Sequence, residues 1–350
     1  MINSNSQSLV TVVIPIYNVR RFIERGLKYV LAQTYKYFEI ILSDDGSTDG
    51  GYEECQKWAI RDSRIRVVHQ ENRGAGAARN HGIESAKGDF IYFFDIDDEI
   101  SPNLLEYCVR TMNEKDVDFI CFGYENVEAT YKSKVTVSFP EVMTTHNKEL
   151  KDLFVDQFVL KVNGFPWNKF YRKSFLDKHH LRYEDQRIQQ DEVFNLKCYQ
   201  CLERAYLAPE VLYTYYVYEK GNTRSNFIPA RFDIYKSVRQ HFESLKIFWS
   251  LNDKRLENCL DKRFYINVLQ CFFFNLVHTN CLWTPEQKKC EINRIMDDLF
   301  TIRSFQYADV HFCSFEHRLY RYACRKRSFI LIMTCSKVFY WIHSFRKIFV

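Results

Sequence analysis

The sequence has no run of 18 uncharged apolar residues, so nothing in it predicts a membrane-spanning helix. Met1 to Ser8 is polar and uncharged, without the apolar stretch that follows a basic start in a secretory leader. No internal repeat or low-complexity linker is visible. Among the 12 cysteines only Cys198 and Cys201 lie close together. One C-x-x-C without a second pair is a poor zinc signature, and two helix positions three apart account for it. The remaining cysteines are scattered through apolar segments, as reduced core thiols are. These absences predict a reducing, cytoplasmic setting. Acidic residues are also missing from the end of the chain: His317 to Val350 holds Arg318, Arg321, Arg325, Lys326, Arg327, Lys337, Arg346 and Lys347 and no Asp or Glu. Removing those eight from the 49 basic residues leaves 41 against 44 acidic ones, so the net charge of +5 belongs to the tail. A local tail of this kind gives no reason to expect a nucleic-acid partner.

What is present describes a folded protein. Hydrophobic residues make up 46% and charged residues 27%, which argues against disorder. A length of 350 residues accommodates two domains, or one α/β domain with a large elaboration. The first ~125 residues alternate strand and helix patterns. Strands are predicted at Val10 to Ile14, Phe38 to Leu42, Ile65 to Val68, Asp89 to Phe94 and Asp118 to Phe122. Helices are predicted between them, at Phe22 to Leu31, Tyr52 to Ile60, Ala75 to Ala86 and Leu104 to Met112. Strict alternation implies a doubly wound, mostly parallel sheet. Ligands of such sheets bind outside the carboxyl ends of the strands. Tyr17-Asn18, Asp44-Asp45, Gln70 to Asn72 and Asp95 to Asp98 all fall there, so segments distant in sequence should share one rim. From Asn126 the pattern changes, with a strand at Lys134 to Phe139 and a helix near Leu150 to Val159. Long helices are predicted at Phe232 to Leu251, Leu256 to His278 and Pro285 to Phe300. The segments are therefore expected at 1–125, 126–228 and 229–350.

Asp95-x-Asp97-Asp98 sets three carboxylates at the end of an apolar strand. Mg²⁺ and Mn²⁺ favour such oxygens, and two acids with diphosphate oxygens make a reasonable shell. A helix cap ahead of Pro102 would explain the acids without a metal. Ser43 to Asp49 contains a turn, but the adjacent Asp44 and Asp45 exceed what a turn needs; one could accept hydrogen bonds from a base or ribose. Gly74-x-Gly76 suggests a dinucleotide fingerprint, yet Arg79 occupies the third glycine position and the motif follows the third strand. A small-residue helix whose start and Arg79 face a diphosphate is the better reading.

Four strings in order, Val13-Ile14-Pro15-Ile16-Tyr17-Asn18, Asp44 to Asp49, Gly76-Ala77-Ala78-Arg79-Asn80-His81-Gly82, and Gly88-Asp89-Phe90-Ile91 running into Asp95 to Asp98, resemble the family 2 inverting glycosyltransferases. The resemblance is specific from Leu9 to about Tyr124 and weaker to about residue 225. It implies a GT-A fold, here with a helical C-terminal extension, and a divalent cation, Mn²⁺ or Mg²⁺. It further implies that Pro15 and Tyr17 line the base pocket, that Asp45 holds a uracil or other base, that Asp95 lies near the ribose, that Asn18 and Ile96 belong to the nucleotide-sugar site, and that Asp97 ligates the metal. Relatives place a Glu-Asp pair at a helix start, its Asp deprotonating the acceptor. Here Gln190-Asp191 stands at that position, so Asp191 is the expected base and Glu192 the fallback, with an N-cap carboxylate as the competing account. Trp167-Asn168-Lys169 resembles the Trp-x-Lys segment before the acceptor region, where Trp167 would stack on a sugar or sit in the core. Arg224 is a candidate diphosphate contact from a loop.

The expected reaction is inverting transfer from a nucleoside-diphosphate sugar, UDP-linked, to a saccharide or lipid-linked saccharide in surface-polysaccharide or lipid-linked oligosaccharide synthesis. Residues 318–350, basic and aromatic, would hold the protein on the anionic inner face of the cell membrane, unless they pack on protein. A nucleotidyltransferase would want a Gly-rich basic loop after the first strand, where Tyr17-Asn18-Val19 stands. A non-catalytic membrane-associated subunit would have no use for both Asp97 and Asp191.

Overall fold

Strand β1 (Val10–Ile16) is almost wholly buried on both faces, as a β-branched run in the middle of a parallel sheet must be. In the computed structural model, which describes residues 7–128, 133–161, 164–217 and 226–345, it pairs in parallel with β2 (Phe38–Asp44) on one side and β4 (Phe90–Phe93) on the other. Strand β3 (Ile65–His69) extends the sheet beyond β2, again in parallel. Helices α1 (Arg20–Leu31), α2 (Gly51–Arg61) and α3 (Ala75–Ser85) make the crossovers. Ile23, Leu27 and Val30 of α1, spaced at three and four, point into the core. Each such buried aliphatic side chain contributes about 1.5–3 kcal/mol.

After β4 the chain turns through Asp95 to Asp98 into a two-residue strand, β5 (Glu99–Ile100), then α4 (Leu104–Glu114) and β6 (Phe119–Glu128). The second half supplies β7 (Lys134–Val137), β8 (Val142–Thr144), α5 (Asn147–Leu153) continuing as a π-helical turn at Phe154–Val159, β9 (Lys169–Arg172), α6 (Lys173–Lys178), α7 (Gln190–Cys201) and β10 (Ala205–Val217). The sheet runs β3-β2-β1-β4-β9-β6-β10-β5, with β7 on β6 and β8 on β10. It is parallel from β3 to β4 and mixed beyond, because β9 inserts antiparallel between β4 and β6. That insertion gives no periodic signal: β9 has only four residues and carries a buried lysine. The register of β10 slips between Ala208 and Val211, around Pro209, which has no N–H for the ladder.

Two compact units result, residues 1–221 and 222–350. The second consists of α8 (Arg231–Phe248), α9 (Lys254–Gln270) ending in a π-helical turn at Cys271–Leu276, α10 (Pro285–Asp297), α11 (Leu299–His311), α12 (Phe315–Arg325) and α13 (Phe329–Phe345). The single helix expected over Pro285 to Phe300 is broken at Asp298, whose carboxylate accepts the N–H groups of Phe300 and Thr301 and so starts α11. No helix of the described residues is long and apolar enough to cross a membrane.

Candidate functional site

At the end of β1, Tyr17 is 48% exposed, an aromatic face left open on the rim. Asn18 takes a left-handed conformation (φ 53°), and its side-chain oxygen accepts the Thr48 N–H at 2.8 Å. Asp49 then joins two helix starts, accepting from Gly51 N and Arg20 N at 2.9 Å each. Pro15, at the last pair but one of the β1–β2 ladder, is half-buried.

The adjacent acids after β2 have separate roles. Asp44 is fully buried; it accepts the Gly46 and Ser47 N–H groups and lies 2.7 Å from Nδ1 of His69. It shapes the turn. Asp45 reaches across to the loop before α3, accepting from Gln70 Nε2 (2.7 Å) and Arg73 N (2.8 Å) at one oxygen and Gly74 N (2.7 Å) at the other. A carboxylate offers about four acceptor positions, so these three donors leave one on the second oxygen. Gly74 has φ 99°, which a side chain would resist.

Arg79, on α3, is 3% exposed. Its Nη2 donates to Asp95 at 2.8 Å and its Nη1 to Asp191 at 2.7 Å. Burial alone would lower the guanidinium pKa, but the two carboxylates outweigh it and the net direction is upward. Asp191 lies in the first turn of α7, where the N-cap position is taken by Gln189 in a left-handed conformation (φ 57°). The competing account of Asp191 as a helix cap therefore does not describe it. Glu192 occupies the same helical turn, with its side chain near Gly164.

The Asp95 to Asp98 turn is not a helix cap either: it leads into β5, and α4 begins later behind Asn103. Burial and the neighbouring Asp95 push the Asp97 carboxyl up to about 6, while Arg25 and Arg21 pull it down. Asp98 is buried, and burial with its two acidic neighbours raises its pKa well above the ordinary range. Its oxygens accept from Tyr213 Oη (2.6 Å) and Tyr216 N (2.9 Å). Ile96 turns inward over Gly26 of α1; a Cβ on that glycine would stand 2.3 Å from the Ile96 carbonyl oxygen.

Divalent-cation binding is compatible with this donor set. Asp95 and Asp97 present hard oxygens on neighbouring residues of one turn, the donor type that Mn²⁺ and Mg²⁺ take. Among the described residues no three His, Cys, Asp or Glu side chains form a protein-only metal cluster, so substrate oxygens would complete the shell.

Two expected acceptor residues are buried in the core. Trp167 is 1% exposed and stacked on Tyr213 (4.3 Å between centroids, 8°) and Phe165 (4.7 Å, 16°), which makes it a core ring and leaves no face for a sugar. Lys169 is fully buried, donating to the Asn168 side chain at 2.8 Å and to the Phe165 carbonyl, and burial lowers its pKa to about 8. Arg224 lies outside the described residues. Sequence reading missed Arg25, Tyr213 and Tyr216 as partners of the acidic turn. Nothing local says that a strand 115 residues away meets Asp98.

Residues 11–180 match the family model described as Glycosyl transferase family 2. A putative glycosyltransferase, EpsH, of Bacillus subtilis (strain 168) is 35% identical over 175 residues, covering 50% of this chain and 50% of that protein. The chain spans about half the length of the curated relatives it matches. In fold, the chain is similar to the crystal structure of S. aureus TarS 1–349 in complex with UDP-GlcNAc (TM-score 0.60, 18% identity, 95% of this chain and 91% of that one). It is also similar to the mannosyltransferase PcManGT from Pyrobaculum calidifontis in complex with GDP-Man and Mn²⁺ (TM-score 0.51, 15% identity, 96% and 88%). The fold is that of the GT-A glycosyltransferases.

Proposed function

We propose that the protein transfers a sugar, with inversion, from a UDP-linked donor to an acceptor hydroxyl in surface-polysaccharide or lipid-linked oligosaccharide synthesis. The observation that carries this reading is the Arg79 bridge, which brings Asp191, the expected base, to the same rim as Asp95 and Asp97. The match of residues 11–180 to the glycosyl transferase family 2 model supports it. Residues 1–125 would hold the donor and 126–228 the acceptor.

In this reading Tyr17 stacks on the base beside Pro15 and Asn18, and Asp45 takes a base N–H at its remaining acceptor position. Asp95, with the backbone at Ile96, faces the ribose, while Arg79 holds Asp95 and Asp191 in register. Asp191 accepts the proton of the acceptor hydroxyl. The freed oxygen forms the new bond to the anomeric carbon as the bond from that carbon to the diphosphate oxygen breaks, its electron pair leaving with the nucleoside diphosphate. Asp97, with diphosphate oxygens, would hold Mn²⁺ or Mg²⁺, which when bound offsets the negative charge of the leaving group. Glu192 is the alternative base.

A peripheral position on the anionic inner membrane face completes the proposal. Arg321 and Arg325 pair with Asp309, and Arg327 with Asp297, so part of the tail's charge is neutralised within the helical unit. Arg318, Lys326 and Lys337 remain exposed beside the exposed Phe315, Leu319 and Tyr322 of α12 and Ile330 and Val338 of α13. A basic and apolar face suits anionic lipid. It opposes a second copy of itself by like charge.

Incubation with a panel of UDP- and GDP-sugars and Mn²⁺ tests the enzyme directly. Release of one nucleoside diphosphate, by transfer or slow hydrolysis, is expected; pyrophosphate exchange instead would indicate nucleotidyl transfer, and no release from any donor would refute the activity. Co-sedimentation with phosphatidylglycerol vesicles, but not phosphatidylcholine vesicles, is expected, and equal partition to both would refute the anionic docking.

A further inference from the structure

The carboxylate that the donor reading leaves without a task is Asp98. It is 1% exposed, and both its oxygens are engaged by β10: one by the hydroxyl of Tyr213, itself 1% exposed, the other by the N–H of Tyr216. Three further contacts tie the same two segments. Strand β5 pairs antiparallel with β10 at Ile100–Tyr213 and Glu99–Thr214. The Tyr216 hydroxyl donates to Glu99 at 3.1 Å. Arg25 donates to the Asp97 carbonyl and sits 5.7 Å from the centre of the Tyr216 ring. Next to Arg25 on α1, Gly26 lets the helix close against Ile96. The Asp97 backbone thus lies between contacts to a helix and contacts to a strand end.

We propose that Asp98 and Tyr213 are positioning residues for the divalent cation: together they fix the Asp97 carboxylate in its binding orientation and do not themselves ligate. The inference rests on the reading that Asp97 holds that cation. Groups behind a ligand that set its direction are worth roughly 10–100-fold in metal affinity, because a site must be held within about 0.5 Å of its working geometry. The Tyr213 hydroxyl is the informative atom. Tyr213→Phe removes only that donor and keeps the ring that stacks on Trp167.

The test is Mn²⁺ binding with UDP present, read by loss of the free Mn²⁺ electron paramagnetic resonance signal, alongside UDP binding without metal and thermal midpoints. Asp97→Asn should abolish Mn²⁺ binding. Tyr213→Phe should weaken it about tenfold and Asp98→Ala about 10–100-fold, with metal-free UDP affinity unchanged. Asp98→Asn, whose carboxamide oxygen still accepts the Tyr216 N–H, should recover at least part of the Asp98→Ala loss. If Asp97→Asn fails to bind while Tyr213→Phe and Asp98→Ala bind as the natural protein does, the positioning role is overturned and the cation reading stands. If Asp97→Asn binds normally, both are overturned. Equal losses of metal-free UDP binding would mark general loosening of the fold and also overturn the positioning role.

Discussion

Arg79 and Asp191 meet at 2.7 Å across 112 residues of sequence, and the other arm of the same guanidinium holds Asp95. The arginine that sequence reading directs at a diphosphate is committed to two carboxylates, one on each side of the proposed reaction. Arg79→Gln would leave those acids facing each other without a cation. A fall in stability of about 2–3 kcal/mol is expected, below the value for a fully enclosed pair because each Asp side chain is 29% exposed. The transfer rate should drop by about 10²-fold or more, since the base loses its orientation. Denaturant unfolding and steady-state kinetics on one preparation measure both; unchanged kcat would contradict the role.

Asp191→Asn keeps the size of the side chain and removes its basicity. Donor binding should stay within about threefold of the natural protein while transfer falls by about 10²–10⁴-fold, the usual contribution of a general base. Calorimetric titration with the donor separates the two. Loss of donor binding would reassign Asp191 to the donor site.

Gly26→Ala forces a methyl group toward the Ile96 carbonyl oxygen, 2.3 Å from the new carbon. Either α1 or the acidic turn must move, at a cost of about 1–3 kcal/mol. Mn²⁺-dependent donor binding should weaken more than metal-free UDP binding, because the turn carries Asp97. Equal weakening of both would show that the helix moves instead.

Trp167 separates a core ring from a sugar platform. Trp167→Ala should cost about 3–5 kcal/mol through the cavity it leaves. Trp167→Phe should fold and leave the acceptor KM within about twofold. A large rise in acceptor KM for Trp167→Phe would restore the sugar-stacking role.

Lys169 gives a pH prediction with a definite sign. Its folded pKa is about 8, against an ordinary value of 10.5, because burial penalises the charge. Between those values the unfolded chain binds the extra proton, so this group adds stability as pH rises from about 8 to about 10.5. The stability difference between the natural protein and Lys169→Met should therefore shift in favour of the natural protein by about 1.4 kcal/mol per pH unit in that window. Urea unfolding at pH 8 and pH 10 measures it; a constant difference would mean that the lysine stays charged.

The parallel half of the sheet was legible in the sequence because its signals are local. Residues 10–14 are β-branched, Ile23, Leu27 and Val30 repeat at helical spacing, and the polar clusters follow the strands. The rest depends on contacts between distant residues. Strand β9 is four residues long and has no period to detect, yet it makes the sheet mixed. The break at Asp298 looked like an uninterrupted helix because the apolar spacing continues across it.

The sequence by itself determined which chemistry is present: carboxylates at the ends of β2 and β4, one arginine on a small-residue helix, and an Asp opening α7. Residue types and short-range periodicity carry that information. Only the tertiary structure decided how those groups are used. Asp44 shapes a turn while Asp45 reaches the next loop, Asp98 is enclosed by β10 while Asp97 stays near the rim, and Trp167 is packed inside. Chemically identical side chains were separated by burial and by partners more than a hundred residues away, which no local pattern encodes.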